Sequence, residues 1–524
     1  MRWRYIVFFL LLIPVFIFRD YTPTNELKYI SIAEEALTHG HYFTFYDHGE
    51  IYADKPPLYL WIVMLMQSIF GYVSPFMMSF FSVIPALVIL FIMDKWTRNS
   101  LNKAERVSAA SMLMTTCFFL GAALTVRMDM LMSMFIVLSL YSFYSLYTGT
   151  HHGAKKWLLP IFIFMAVFSK GPVGIIMPIV SIIIFLVSKK ETRLIKDYLG
   201  IRQIGLIILL LGIWFAAVYA EGGETYLHNL LFKQTVGRSV NSFIHKHPFY
   251  YYLETMWYTF APWIFFYLVS IYFIIKKRFI KTDFQRLFLI VISSTLVIMS
   301  MVSSKMEIYL LPVYPFVTYL CISVMKDIKS SKWIKATIIF PAAMLTLALP
   351  AYFIFGSKII PNELIGDWNI IVSIACLSIG SAIALIEQIR YNRLFSAIQS
   401  LSYGLLAMIF MASFSLSKVN HDIGYKDLAK EADKLATEKG ETYYCYKSQK
   451  MGYLDVYTEH PVDKISELKE LEKLAAKQNF LLIVSDKKIQ KEQDLKLYTS
   501  NMKRYSVGEF EIIMVNKNAN QLIR

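Results

Sequence analysis

A polytopic α-helical membrane protein of about 13 spans, ending in a small α/β domain, is the fold class this sequence predicts. Three observations predict it. Of 524 residues, 56% are hydrophobic and 17% charged, against about 45–50% and about 25% in soluble domains, and the surplus lies in long Leu/Ile/Val/Phe runs. The +15 formal charge, from 53 Lys and Arg against 38 Asp and Glu, sits in short segments between those runs. Such a layout orients a membrane protein and gives no basic soluble face for nucleic acid. The third observation is a change of character near residue 417, after which Lys, Glu and Asp become frequent.

The first element, Tyr5 to Phe18, follows Met-Arg-Trp-Arg and has the charge layout of a secretory signal, but Arg19 and Asp20 come next and no small-residue cleavage site follows. It reads as an uncleaved signal-anchor with a cytoplasmic start. Apolar runs then predict spans at about 3–18, 75–93, 107–124, 130–147, 157–170, 172–187, 204–220, 257–275, 287–302, 308–325, 336–356, 369–387 and 394–416. Leu58 to Phe70 is also apolar, but a helix of that length reaches only about 20 Å of a hydrocarbon core of about 30 Å, so it is expected to be interfacial or re-entrant. Loop charge supports that parity: about 24 Lys/Arg fall inside and about 10 in the short outside loops.

The expected layout is therefore a transmembrane domain over 1–416, with a first outer loop at about 19–57 and a large outer loop at about 221–256, and a periplasmic α/β domain over 417–524. In the latter, Asp427–Ala436 and Ile465–Ala476 read as amphipathic helices, and Thr442–Tyr446, Phe480–Ser485 and Glu509–Val515 as strands. The cysteines, Cys117, Cys321, Cys376 and Cys445, are far apart and form no Cys-x-x-Cys pair, so they are expected to be packing residues.

Sorted by side, nearly all unusual polar residues face outward. Asn25, Glu26, Lys28 and Tyr29 open a predicted amphipathic helix in the first outer loop, which ends in Asp54-Lys55-Pro56-Pro57. Arg127 and Asp129 lie at an outer span end, Lys170-Gly171-Pro172 in an outer turn, Arg238 with His228, His245 and His247 in the large loop, and Lys305 before Tyr309 and Pro312. Singly, each has a plain reading: a Lys at a span end snorkels to headgroups, and a histidine there hydrogen-bonds at the interface. Asp129, flanked by Met128, Met130 and Leu131, is costly at a membrane boundary unless paired or functional, and Arg127 is an available partner. Together, several cations and two or three carboxylates on one side suit a lipid-linked phosphate: cations neutralise a phosphate leaving with growing charge, and a carboxylate accepts a proton or holds a metal. Asp54 and one of the three histidines are candidate ligands for a divalent metal, though spacing in so long a loop fixes no geometry.

The residues resemble the ArnT-type bacterial aminoarabinose transferases, within the GT-C membrane glycosyltransferases that include protein O-mannosyltransferases. The resemblance runs over about 20–320: Asn25-Glu26-Leu27-Lys28-Tyr29 with Ile32 to Leu37, Asp54-Lys55-Pro56-Pro57-Leu58, Tyr59 to Trp61 and Phe70-Gly71, Arg127-x-Asp129, Lys170-Gly171, and Ser304-Lys305 with Tyr309-x-x-Pro312. The chain departs from the family pattern at Asn25, where the first member of an acidic pair is common, at Lys28, where Arg is usual, and at Asp54, often Glu.

The resemblance implies a bacterial inner-membrane enzyme with a periplasmic active site. It would move a sugar, 4-amino-4-deoxy-L-arabinose or a related amino sugar or hexose, from undecaprenyl phosphate to an outer-face acceptor, for such relatives lipid A of lipopolysaccharide, by inverting displacement. On this reading Lys55 and Arg238, then Lys305, grip the carrier phosphate; Glu26 and Asp129 orient the sugar or activate the acceptor; Asn25, Tyr29, Asp54, Arg127 and Lys170 complete the substrate site. Membrane lipids are the other expected partners. The alternatives are the same chemistry onto a protein or another glycan, and a non-enzymatic flippase of lipid-linked sugar.

Overall fold

The computed structural model describes residues 2–150, 152–232, 246–448, 450–458 and 462–517. Each predicted span lies in helical structure, but the helices differ in length. Among the described residues six are long and apolar enough to cross a membrane, and up to nine if each of three bent pairs is one span. The other predicted spans fall on shorter helices, including Leu158–Lys170 and Val173–Ser188.

The bends follow the sequence. Helix α1 (Arg2–Phe18) ends where Arg19 and Asp20 interrupt the apolar run, and the chain turns by 99° into a π-helical turn, Pro23–Leu27, and α2 (Lys28–His39). The first loop continues through a hairpin, β1 (Tyr46–Asp47) and β2 (Glu50–Ile51), to α3 (Leu58–Phe70). α4 (Pro75–Thr97) starts on a Ser74 cap, and α5 (Lys103–Thr115) on an Asn102–Glu105 capping box. α6 (Cys117–Leu124) leaves α5 at 65° about extended Thr116, and α7 (Met128–Tyr147), α8 (Leu158–Lys170) and α9 (Val173–Ser188) follow.

After the single turn α10 (Ile195–Tyr198), α11 (Ile201–His228) corrects the sequence reading. The helix continues eight residues into the stretch expected to be a loop from 221, with a break at Gly223, φ 68°. A Cβ on neighbouring Gly222 would lie 2.5 Å from the Thr44 side chain. Only glycine lets this helix meet the first loop so closely. There Glu221 accepts from the backbone N–H groups of Phe43 (3.0 Å) and Thr44 (2.8 Å), and Tyr226 bonds the backbone of Phe45 and Tyr52, both at 2.9 Å.

The C-terminal part is a five-stranded mixed sheet in the order β4-β3-β5-β7-β6: β3 (Thr442–Tyr446), β4 (Asp463–Ile465), β5 (Phe480–Ser485), β6 (Arg504–Val507) and β7 (Phe510–Val515). Two strands, β4 and β6, were not expected, and Ile465 belongs to β4 rather than to the following helix, Leu468–Ala475. Both are short and polar, as sheet edges tend to be. Along β5 the side chains alternate: Leu481 and Ile483 join a core that also contains Leu27 and Ile32 of the first loop and Tyr59 of α3, whereas Phe480, Leu482 and Val484 join a core internal to the sheet and its helices. One face of the sheet thus packs on the first loop.

Polar ties fix that junction. Buried Asp20 accepts from the Lys426 backbone N–H at 2.9 Å and from the Tyr457 hydroxyl, while Asn420 bonds the backbone of Phe18 and Asp20 at 3.0 Å. Farther out, Asp47 accepts from Lys28 (2.9 Å) and Tyr453 (3.0 Å), and His48 bridges Asp47 (3.0 Å) and Asp455 (3.2 Å). All four cysteines are unpaired thiols.

Candidate active site

Beneath the first loop, on the bundle end that carries the sheet, is a cavity of about 280 Å³. Its walls are apolar, among them Met132, Val173, Trp214, Phe215, Ile298 and Met299; its polar lining is Asp54, Lys55, Lys170, Ser304 and Tyr309. The Asp-Lys-Pro segment reaches it because Pro57 caps α3, and Lys170 because it ends α8, whose backbone lies within 2.4 Å of where a Cβ on Gly174 of α9 would stand. The α8–α9 turn is therefore closed too tightly for any side chain at 174.

Lys170 is the junction between this cavity and the carboxylate behind it. Its ammonium donates to the Asp129 carboxylate, lies 5.0 Å from the centre of the Tyr309 ring, and is in electrostatic contact with Arg127 and Lys55. Asp129, in the first turn of α7 and 1% exposed, also accepts from Arg127 Nε at 3.1 Å. Two cations thus hold one buried carboxylate, and one of them, Lys170, lines the cavity together with Lys55.

Glu26 is placed quite differently. It is 1% exposed, and its two oxygens accept from Arg19 in a bidentate pair (2.7 Å each), from Thr22 N–H (2.7 Å) and hydroxyl (2.9 Å), and from the Val126 N–H (2.7 Å). Five donors saturate the carboxylate, and it does not line the cavity. Expected to orient the sugar or activate the acceptor, Glu26 here ties the first loop to Val126, the residue before Arg127. Lys305 is likewise committed, 3% exposed with its ammonium on the carbonyls of Val302 (2.6 Å) and His247 (3.0 Å); its neighbour Ser304 lines the cavity instead. Both placements have the same cause, the need of a buried charge for partners.

Asn25 and Tyr29 are half-buried on the first-loop helical segment, Tyr29 edge-on to Tyr59 at 5.3 Å, and neither lines the cavity. Arg238 and His245 lie outside the described residues. His228 is exposed against Phe232, and His247 stacks on Tyr251 at 4.2 Å. Among the described residues no three His, Cys, Asp or Glu side chains converge to hold a metal.

Sequence reasoning missed Arg19, Asp20, Glu221 and Tyr226. Arg19 and Glu221 were legible as charges just beyond apolar runs, where an ionised side chain needs a partner; the partners, in a loop distant in sequence, were not.

Comparison with known proteins shows what the chain is similar to. The model for dolichyl-phosphate-mannose-protein mannosyltransferases matches residues 54–216. An uncharacterized protein of Aquifex aeolicus is 29% identical over 68% of this chain and 71% of its own length. The fold is decided by the solved structure of ArnT from Cupriavidus metallidurans bound to undecaprenyl phosphate, which superposes with a TM-score of 0.76 over 98% of this chain and 97% of that one, at 16% identity. The chain has the fold of that ArnT structure. An undecaprenyl phosphate-alpha-4-amino-4-deoxy-L-arabinose arabinosyl transferase of an Enterobacter species is 23% identical over 47% of the chain, which spans 45% of that relative's length. The similarity to the ArnT structure spans both the helical part and the C-terminal sheet.

Proposed function

We propose that this protein is a glycosyltransferase that moves a sugar from a polyprenyl-phosphate carrier to an acceptor on the outer side of the bacterial inner membrane, with an amino sugar such as 4-amino-4-deoxy-L-arabinose as donor sugar and lipid A as acceptor. The observation that carries the reading is the cavity, apolar along its walls and cationic at Lys55 and Lys170. That is the complement of a phosphate on an isoprenoid chain. The similarity to a transferase named for undecaprenyl phosphate-aminoarabinose, and to an ArnT structure with undecaprenyl phosphate bound, supports the same substrate class.

In the proposed step an acceptor oxygen attacks the anomeric carbon from the face opposite the phosphate. A new C–O bond forms as the bond from that carbon to the phosphate oxygen breaks, and its electron pair leaves on the phosphate. Lys55 and Lys170 neutralise the charge that grows there. Asp129 holds Lys170 in place and moderates its repulsion from Arg127 and Lys55, and Glu26 positions Val126 and so the start of α7. An ionised phosphate acceptor needs no base. A hydroxyl acceptor must lose its proton, and Asp54, beside Lys55 on the cavity wall, is the carboxylate for that task.

The test is release of polyprenyl phosphate by purified protein given the lipid-linked sugar, with and without lipid A. Acceptor-dependent release with sugar appearing on lipid A supports the proposal. Lipid-linked sugar that crosses the bilayer intact, with no release, is the behaviour of a flippase and would sink it.

A further inference from the structure

The opposite end of the bundle carries a second, unrelated pair of cavities. Helix α1 runs from there to Phe18 at the sheet-bearing end, so Trp3, Arg4 and Tyr5 mark the far side. One cavity, about 610 Å³, lies between the start of α1, the end of α4 and the start of α5, and is lined by Lys95, Arg98, Lys103 and Arg106 with Asp94. The other, about 310 Å³, is a groove between α1, α5 and the helix Leu394–Ser413, with Val7, Phe8, Val107, Ala110 and Met114 among its walls and Arg4 at its end. Tyr5 lines both, so the cationic cleft continues into the apolar groove.

The charges in this cleft are not balanced from within. Among the described residues Asp94 is the sole carboxylate lining it, and it is taken by Arg106 at 2.8 Å. Glu105 on the same turn is 1% exposed and turned into the α5 capping box, with Lys326 at 3.9 Å. Two buried guanidinium nitrogens, Arg4 Nη1 and Arg106 Nε, have no hydrogen-bond partner among the described residues. Buried donors of a cation are costly to leave unmade, and cations that merely snorkel would reach water. The groove, for its part, opens toward the hydrocarbon: Trp3 is 61% and Val7 39% exposed.

We infer that this cleft and groove form a binding site for one anionic glycerophospholipid, its phosphate among Arg4, Arg98, Lys103 and Arg106 and an acyl chain along the groove. The phosphate supplies acceptors for the unpartnered guanidinium nitrogens, and the chain covers the apolar wall between α1 and α5. Position separates the site from the substrate cavity, with which it shares no lining residue.

The experiment uses full-length protein in nanodiscs of phosphatidylcholine with a minority of phosphatidylglycerol, followed by detergent extraction and native mass spectrometry of retained lipid. The proposal expects one phosphatidylglycerol retained in preference to phosphatidylcholine. Retention should fall at least tenfold in Arg98→Gln/Lys103→Gln, and as far in Ala110→Phe, which fills the groove with every charge intact; Lys276→Gln/Lys277→Gln, elsewhere on the molecule, should retain it. Thermal midpoints within a few degrees of wild type establish that each variant is folded. Equal loss in the Lys276/Lys277 pair would reduce the effect to bulk charge, and retention in Ala110→Phe, or displacement by soluble glycerol phosphate, would remove the groove; each overturns the proposal. So would retention of polyprenyl phosphate in place of the phospholipid.

Discussion

The junction between the first loop and the C-terminal sheet, and the cavity beneath it, handle buried charge in opposite ways. At the junction three carboxylates each accept from several donors: Glu26 from five, Asp20 from the Tyr457 hydroxyl and the N–H groups of Lys426 and Tyr21, Asp47 from Lys28, His48 and Tyr453. In the cavity, Lys55, Lys170 and Asp54 face an open volume, and Asp129, paired with Lys170 and Arg127, lies behind Lys170. Glu26 and Asp129 are each 1% exposed, so burial alone does not separate architecture from chemistry. What separates them is whether the partners are spent on the fold or face an open volume.

The strongest way to break this contrast is Lys55→Ala. Loss of one charge-assisted contact to a desolvated phosphate costs about 2–4 kcal/mol, or about 30- to 1,000-fold in turnover, with protein level and melting temperature unchanged; steady-state transfer assays on purified protein check it. Glu26→Gln should act on the fold instead. It leaves Arg19 buried without its counter-charge, at about 3 kcal/mol or more, so thermal melting should drop by several degrees, and whatever activity survives should be reduced equally for phosphate and hydroxyl acceptors. A selective loss on hydroxyl acceptors would return Glu26 to proton transfer. Lys305→Met removes two carbonyl contacts and no contact to the cavity; transfer should fall by less than about tenfold.

The smallest effect concerns the outer part of the junction. Its neighbours hold the Asp47 carboxyl down at about 2 despite partial burial, and hydrogen bonds to Asp455 and Asp47 push His48 up to about 10. A depressed carboxyl stabilises above its unfolded value of about 3.9 and loses that as pH falls toward 2. A raised imidazole stabilises fully below about 6.5 and loses that as pH rises toward 10. Hydrogen-exchange protection of the 46–51 hairpin, corrected for intrinsic rate, should therefore be greatest between about pH 4 and 6.5 and decline above it; His48→Gln should remove the alkaline decline.

Periodicity and apolar run length made the helices legible, because lipid leaves the backbone few alternatives. They did not reveal how far a helix runs past its apolar part: α11 extends through Glu221 and Tyr226 because those side chains bond the first loop, a tertiary partnership invisible at positions so far apart. The short strands β4 and β6 were missed for a related reason, as a three-residue edge has no period to read. In the site, Asp54, Lys55 and Lys170 were singled out as polar residues near apolar ends, and they do meet. Glu26 and Lys305 looked the same in sequence, since nothing in a local pattern tells a charge aimed at a cavity from one aimed at a distant backbone carbonyl or N–H.

The central claim, that the phosphate of a lipid carrier is held by Lys55 and Lys170 rather than by Lys305, is tested most directly by the affinity of purified protein for undecaprenyl phosphate. Lys55→Ala and Lys170→Met should each weaken binding by about tenfold or more, while Lys305→Met stays within about twofold of wild type. Binding lost in Lys305→Met and kept in the other two would contradict it.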